Sequence, residues 1–146
     1  MEAVIFAGLQ ASGKSTFYLE RFFHTHVRVS LDMLKTRQRE AVLLRTCIDM
    51  QQPFVVDNTN PTIAARAPYI ALARAAGFRV TGYYFQSQPA ACVARNSTRA
   101  PGAQVPALAI WGTAKKLQPA SLDEGFDKLY TVRIAPEGGF VVEPAL

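Results

Sequence analysis

The chain has 146 residues, 49% hydrophobic and 18% charged, with 16 Lys and Arg against 11 Asp and Glu. That length suits one domain with a single core, and the composition excludes a disordered chain. No apolar run approaches a membrane span, the N-terminus lacks a signal-peptide layout, and Cys47 and Cys92 are too few for a disulfide framework. The expected setting is therefore cytoplasmic, with no membrane and no disulfide partner. The basic excess is uneven: residues 1–118 carry 14 Lys and Arg against 6 Asp and Glu, residues 119–146 only 2 against 5. Such a field attracts polyanions, nucleic acid among them, although a solvated basic surface would give the same count.

Ala3–Ala7 is a nearly continuous apolar run, the pattern of a strand buried on both faces. Gly8-Leu9-Gln10-Ala11-Ser12-Gly13-Lys14-Ser15 follows it and matches G-x-x-x-x-G-K-[ST] at every fixed position. Helix-compatible Ser15–Phe23 comes next. The glycines let the backbone turn tightly and bring successive N–H groups to phosphate oxygens, and the helix adds its positive end. Lys14 is spaced to reach the β- and γ-phosphates, and the Ser15 hydroxyl to hold Mg²⁺. The expected ligand is ATP or another nucleoside triphosphate, held by Gly8, Ser12, Gly13, Lys14, Ser15 and Thr16.

Val27–Ser30 is a weaker strand. Asp32–Met50 reads as one helix, with Leu34, Ala41, Leu44 and Ile48 sharing a face. Pro53 stops it, and Phe54–Asp57 makes a third strand. Asn60-Pro61-Thr62 turns into a helix over Ile63–Ala76, which Gly77 ends. Arg79–Phe85 is a fourth strand, Ala90–Ser97 a short helix, Pro106–Leu117 another helix, and Lys128–Ile134 a fifth strand. Gly138-Gly139 then turns toward a short strand, Phe140–Glu143. The alternation predicts an α/β fold, a doubly wound, mostly parallel sheet with helices on both faces.

Three sites fall at carboxyl ends of strands, where such sheets place their chemistry. Asp32 can accept the proton of a hydroxyl attacking the γ-phosphate, or can cap the helix that starts there. Lys35, one turn on along the same helical face, can pair with Asp32 or bind an acceptor phosphate. Asp57 ends an apolar strand, as does the acidic residue supporting Mg²⁺ in phosphate-loop enzymes. Asn58-Thr59-Asn60 follows it, and an ordinary Asx turn is the structural alternative. Arg95 and Arg99 sit four apart before Ala100-Pro101-Gly102, suited to a lid that brings a guanidinium onto a transferring phosphoryl group; stabilising the helix end is the alternative. His24 and His26 have no acidic partner visible in the sequence and read as surface residues. Trp111 reads as a packing anchor, with stacking on an acceptor base as the other option.

Together these residues resemble the kinase domain of 5′-hydroxyl polynucleotide kinases of the bacteriophage and bacterial end-healing type. The resemblance runs from the phosphate loop to about Lys116. It rests on Gly8–Thr16, the Asp32 segment, Val55–Asn60 with Pro61 and Arg66, and Arg95–Arg99 with Val105-Pro106. It implies a P-loop NTPase fold of the adenylate-kinase-like kind, one kinase domain over 1–146 and a lid at about 98–105. Asp32, Lys14 and Arg99 would be catalytic, with Asp32 the general base. Ser15 and Asp57 would hold Mg²⁺, and Arg95 and Arg99 would meet the ATP phosphates. Asp32, Lys35, Asn58, Asn60 and Arg66 would face the acceptor, with Lys35 where phage-type enzymes carry an arginine for the acceptor's 3′-phosphate.

Lys35 keeps the charge of that arginine but loses its bidentate geometry, and Leu31 stands where the family often has an arginine. No D-x-D-x-[TV] phosphatase motif is present, so only the kinase half of an end-healing enzyme is expected. The implied reaction moves the γ-phosphate of ATP to the 5′-OH of DNA or RNA. A kinase of a small molecule (nucleoside, sugar or sugar nucleotide) shares the first three blocks in looser form, and an ATP-hydrolysing switch module is a different class. Neither the choice between DNA and RNA nor an oligomeric state is readable.

Overall fold

In the computed structural model, which describes residues 1–145, the N-terminal apolar run forms β1 (Glu2–Ala7) at the centre of a six-stranded sheet. The other strands are β2 (Val27–Val29), β3 (Phe54–Val56), β4 (Arg79–Phe85), β5 (Lys128–Ile134) and β6 (Phe140–Pro144). Their spatial order is β2-β3-β1-β4-β5-β6, parallel throughout except that β6 runs antiparallel to β5. Ala3–Ala7 are no more than 2% exposed, as the unbroken apolar run requires of a strand covered on both faces. The sheet grows from β1 to β3 on one side and to β4 on the other. That reversal opens a crevice beyond the carboxyl end of β1.

Six helices cover the sheet: α1 (Lys14–Arg21), α2 (Leu31–Leu34), α3 (Arg37–Asp49), α4 (Ile63–Ala75), α5 (Pro89–Ser97) and α6 (Ala107–Lys116). Strand side chains alternate between the two faces. Ala3, Ile5 and Phe54 meet α3 and α4 through Leu44, Cys47, Ile70 and Ala73. Val4, Phe6 and Val55 meet α1 and β6 through Phe17, Phe22 and Phe140. Phe17 has five aromatic rings 5.1–6.0 Å from its own, so this face is an aromatic cluster that anchors α1. A third cluster joins α5 and α6 to the phosphate loop through Leu9, Ala11, Cys92 and Ile110. Among the described residues no helix is long and apolar enough to cross a membrane.

Residues Asp32–Met50 do not form the single helix expected. The one-turn α2 stops at Lys35, which caps it at φ 74°, and Thr36 then starts α3 by accepting the Arg39 N–H at 3.1 Å. A threonine hydroxyl that satisfies the first turn's orphan donors competes with continuation of the preceding helix. Asp32 and Lys35 therefore share no continuous helical face. Two side chains are also re-placed. His26 Nε2 donates at 2.8 Å to the carboxylate of Glu2, its acidic partner across the first crossover. Trp111 is 45% exposed rather than a packing anchor, because α6 turns Ile110 and Thr113 inward instead.

Candidate active site

The phosphate loop is shaped by contacts that admit only particular residues. The Gly8 N–H donates to the Thr59 carbonyl at 2.9 Å, and a Cβ at Gly8 would lie 2.8 Å from that of Phe85. Gly13 has φ +98°, and a Cβ there would lie 2.9 Å from the Phe140 ring. Ala11 also takes a positive φ of 62°, a strained conformation for a residue with a side chain, held by burial against Leu9 and Cys92. Gly13 caps α1 without a side chain and the first turn holds no acidic residue, so its N–H groups face the loop as donors for an anion.

Lys14 is folded into this loop. Its ammonium donates to the carbonyls of Gly8 at 3.0 Å and Leu9 at 2.5 Å, and to the Ser12 hydroxyl at 3.4 Å. Burial pushes its pKa down to about 8, against the opposing pull of Asp57. Asp32 adds to that pull and Arg99 works against it. Side chains from the end of β3, from α2 and from the loop after α5 thus act on one ammonium group.

Asp57 is almost fully buried, its side chain 2% exposed. Its Oδ2 accepts from the Ser15 hydroxyl at 3.1 Å and from Arg28 Nε at 2.8 Å, and Arg28 Nη2 donates to Ser15 Oγ at 2.9 Å. A hydroxyl and a carboxylate are hard oxygen donors, which suits Mg²⁺ completed by phosphate and water. They are no closed protein cage, since no group of three His, Cys, Asp or Glu side chains could hold a metal among the described residues. Arg28 was missed in the sequence. The one available signal was a charged residue between two valines in a candidate strand.

Beside Asp57, the side of the crevice toward α2 and α3 is tied by side chains. Asn58 Oδ1 accepts the Leu31 N–H at 3.0 Å, fixing the start of the short helix that presents the exposed Asp32. Asn58 Nδ2 donates to Glu40 Oε2 at 2.9 Å. Glu40, buried on α3, also accepts from the Tyr69 hydroxyl at 2.9 Å and from Arg37 at 3.1 Å. Burial and the adjacent Glu40 carboxylate push the Tyr69 phenol up. Leu31, Leu44, Pro61, Pro68 and Tyr69 line a cavity of about 440 Å³ above this network. Glu40, Tyr69 and Arg37 carry no sequence motif, and their spacing reads only as helix faces.

Two expected acceptor contacts are scaffold instead. Arg66 is fully buried: Nε and Nη2 pair with Glu124 at 2.8 and 3.1 Å, Nη1 donates to the Asn60 carbonyl and Nη2 also to that of Gln118. A fully buried guanidinium that commits four of its five N–H donors inside the protein is not presented to a ligand. Asn60, at φ 42° and 5% exposed, donates to the Phe6 carbonyl at 2.8 Å and so ties the loop after β3 to β1. Lys35 is exposed beyond α2.

On the nucleotide side, Arg95 donates to the Ala11 carbonyl at 2.7 Å and to Ser87 at 2.6 Å, bracing the loop. Gly13, Thr16, Arg95, Arg99, Ile134 and Phe140 line a cavity of about 270 Å³. Asn96 clamps the base of the loop after α5. Its amide donates to the Val105 carbonyl at 2.7 Å and accepts the Val105 N–H at 3.0 Å.

The chain is 27% identical over 135 residues to the bifunctional polynucleotide phosphatase/kinase of Schizosaccharomyces pombe, covering 90% of this chain and 33% of that protein. It thus spans about a third of that relative's length. Its fold is similar to that of Chaetomium thermophilum Kti12 solved with ADP-AlF3, at TM-score 0.67 and 13% identity over 90% of this chain and 88% of that one. A gluconokinase from Sinorhizobium meliloti 1021 is similar at TM-score 0.63 and 14% identity, over 90% and 81% of the two chains. At such identities the likeness shows the fold, a P-loop NTPase-like kinase fold. The profile of the AAA domain matches residues 4–119, and the chain belongs to that family.

Proposed function

We propose that this P-loop domain transfers the γ-phosphate of ATP to the 5′-hydroxyl of a nucleic-acid strand. The observation that carries the reading is the phosphate loop set beside three groups: Asp57, bonded to the Ser15 hydroxyl at 3.1 Å, Asp32 on the short helix fixed by Asn58, and Arg99 on the wall of the 270 Å³ cavity. They supply one carboxylate for an acceptor, one for a metal ion and one cation beyond the loop. The similarity to a polynucleotide phosphatase/kinase over 90% of the chain supports a nucleic-acid acceptor.

In this reading Lys14, the α1 N-terminus and Arg95 orient the triphosphate in the 270 Å³ cavity. Ser15 and Asp57 would hold Mg²⁺, which would supply charge neutralisation. Asp32 accepts the hydroxyl proton as the new O–P bond forms and the bond from the γ-phosphorus to the ADP oxygen breaks. Arg99, on a lid over about 98–105 hinged at Asn96 and Val105, stabilises charge on the transferred group and excludes water. Lys35 contributes a point charge toward an acceptor phosphate, and Asn58 positions Asp32 through the Leu31 N–H.

The cavity of about 440 Å³ between α3 and α4 favours one rival, a small-molecule acceptor such as a sugar or nucleoside. Incubation with γ-labelled ATP and either 5′-OH oligonucleotides or a nucleoside and sugar panel separates the two. Label on the oligonucleotide is expected, and label on a small molecule alone overturns the nucleic-acid reading.

A further inference from the structure

The chain holds no Asp or Glu between Asp57 and Asp123 but seven Arg and Lys. Two of those cations pair with carboxylates, Arg66 with Glu124 and Arg74 with Asp127, and Arg95 faces the phosphate loop, where it bonds the Ala11 carbonyl. The cations of the lid and α6 are Arg99, Lys115 and Lys116, and no carboxylate lies on either element.

α6 has two unlike faces. Its inward face packs Ile110 against Leu9 and Ala11, and Thr113 accepts the Gln10 amide at 3.0 Å. The helix is thereby joined directly to the phosphate loop. Its outward face carries Leu108, 83% exposed, Trp111, 45% exposed, and exposed Lys115. Positions i, i+3 and i+7 form one stripe. Beyond its last turn, Gln118 donates its N–H to the Pro61 carbonyl at 2.7 Å and accepts the Ile63 N–H at 2.8 Å. Pro61 lines the cavity on the acceptor side. The stripe therefore runs from the end of the lid toward the acceptor rim, and the chain just beyond it is tied to Pro61 and Ile63.

An exposed indole beside lysines on a carboxylate-free helix suits a flexible polyanion with flat rings. Bases stack on an aromatic face whatever their identity, and the phosphates between them meet ammonium groups. We propose that the outward face of α6 docks the acceptor strand downstream of its 5′-terminal nucleotide. Trp111 stacks on a base, and Lys115 and Lys116 meet the backbone phosphates. This assignment rests on the polynucleotide reading above and adds where the rest of the strand lies.

Trp111 is the only tryptophan, so intrinsic fluorescence reads this face directly. Titration with a 5′-OH oligothymidylate of about 15 nucleotides should quench it, with an affinity that falls as salt rises. Thymidine 3′-phosphate should not. Trp111→Ala should cut the preference for the long strand over that mononucleotide by roughly 5- to 100-fold, the value of one stacked base, and Trp111→Phe should restore most of it. Lys115→Glu with Lys116→Glu should weaken strand binding, read by anisotropy of a labelled strand, and flatten its salt dependence.

Quenching without transfer of label leaves the docking face standing and removes the kinase reading. Label on long strands with no quenching, and an unaltered length preference in Trp111→Ala, overturns the docking face alone. Neither signal overturns both. A concentration-dependent dimer abolished by Trp111→Ala assigns the stripe to a second copy instead.

Discussion

The nucleotide side of the crevice is built from backbone, the acceptor side from side chains. On the first, Gly8–Ser15 is consecutive chain, and its shape follows from positive φ at Ala11 and Gly13 and from the close approach of Gly8 to Phe85. On the second, Asn58, Glu40, Tyr69 and Arg37 come from three separate elements and meet through hydrogen bonds of 2.9–3.5 Å. Backbone donors serve any triphosphate. A cavity walled by side chains from α3 and α4 can be retuned residue by residue, and under the proposed function it is the part that would set the acceptor.

The largest expected effect lies at the meeting of the two sides. Asp32→Asn should lower kcat by about 10²–10⁴ if Asp32 is the base, with ADP affinity nearly unchanged. Steady-state transfer assays beside ADP titrations check it, and a loss confined to thermal stability would leave Asp32 as a helix-start residue. Arg28→Gln probes the nucleotide side by leaving the buried Asp57 carboxylate without this cation, at a cost of up to about 3–5 kcal/mol. Thermal unfolding should then show Mg²⁺ stabilising the variant more than the parent protein.

Glu40→Ala is the counterpart on the acceptor side. It strips the acceptor from Tyr69 and Asn58, costing about 1–3 kcal/mol, and should reduce kcat/KM for the acceptor while ADP binding persists. If nucleotide binding falls equally, the two sides are not separable. Lys14 gives the pH test. Phosphates favour its charged form, so above about pH 8 nucleotide binding takes up a proton and affinity should fall, by at most about tenfold per pH unit. The ligand-free protein moves the other way. Between about 8 and the ordinary lysine value of 10.5 the unfolded chain holds the extra proton, so this group makes the fold more stable as pH rises. Calorimetry across that range reads both signs. The smallest effect is expected for Thr36→Ala, about 1 kcal/mol from loss of the α3 cap, measured by denaturant unfolding.

The nucleotide side was the legible one. A strand, a glycine-rich turn and a helix start are consecutive in the chain, and their chemistry needs no distant partner. Asp57 was legible for a similar reason, because an apolar strand that ends in a carboxylate can be read locally. Arg66 shows the opposite. Whether its guanidinium meets a ligand or a protein carboxylate was decided by Glu124, 58 positions away in the chain. The break at Lys35 escaped because the apolar spacing of Leu34, Ala41, Leu44 and Ile48 continues across it, while a single cap at Thr36 outweighs that periodicity.

Local chemistry in the sequence determined the doubly wound sheet, the phosphate loop and the carboxylate at the end of β3, since each depends on neighbours in the chain. The tertiary structure alone decided that Arg28 pairs with Asp57, that Arg66 is scaffold, and that Glu40 and Tyr69 brace the cavity between α3 and α4. It also decided that Trp111 faces outward. Burial and pairing of charged and aromatic side chains depend on which distant surfaces meet, and spacing along the chain carries no record of that.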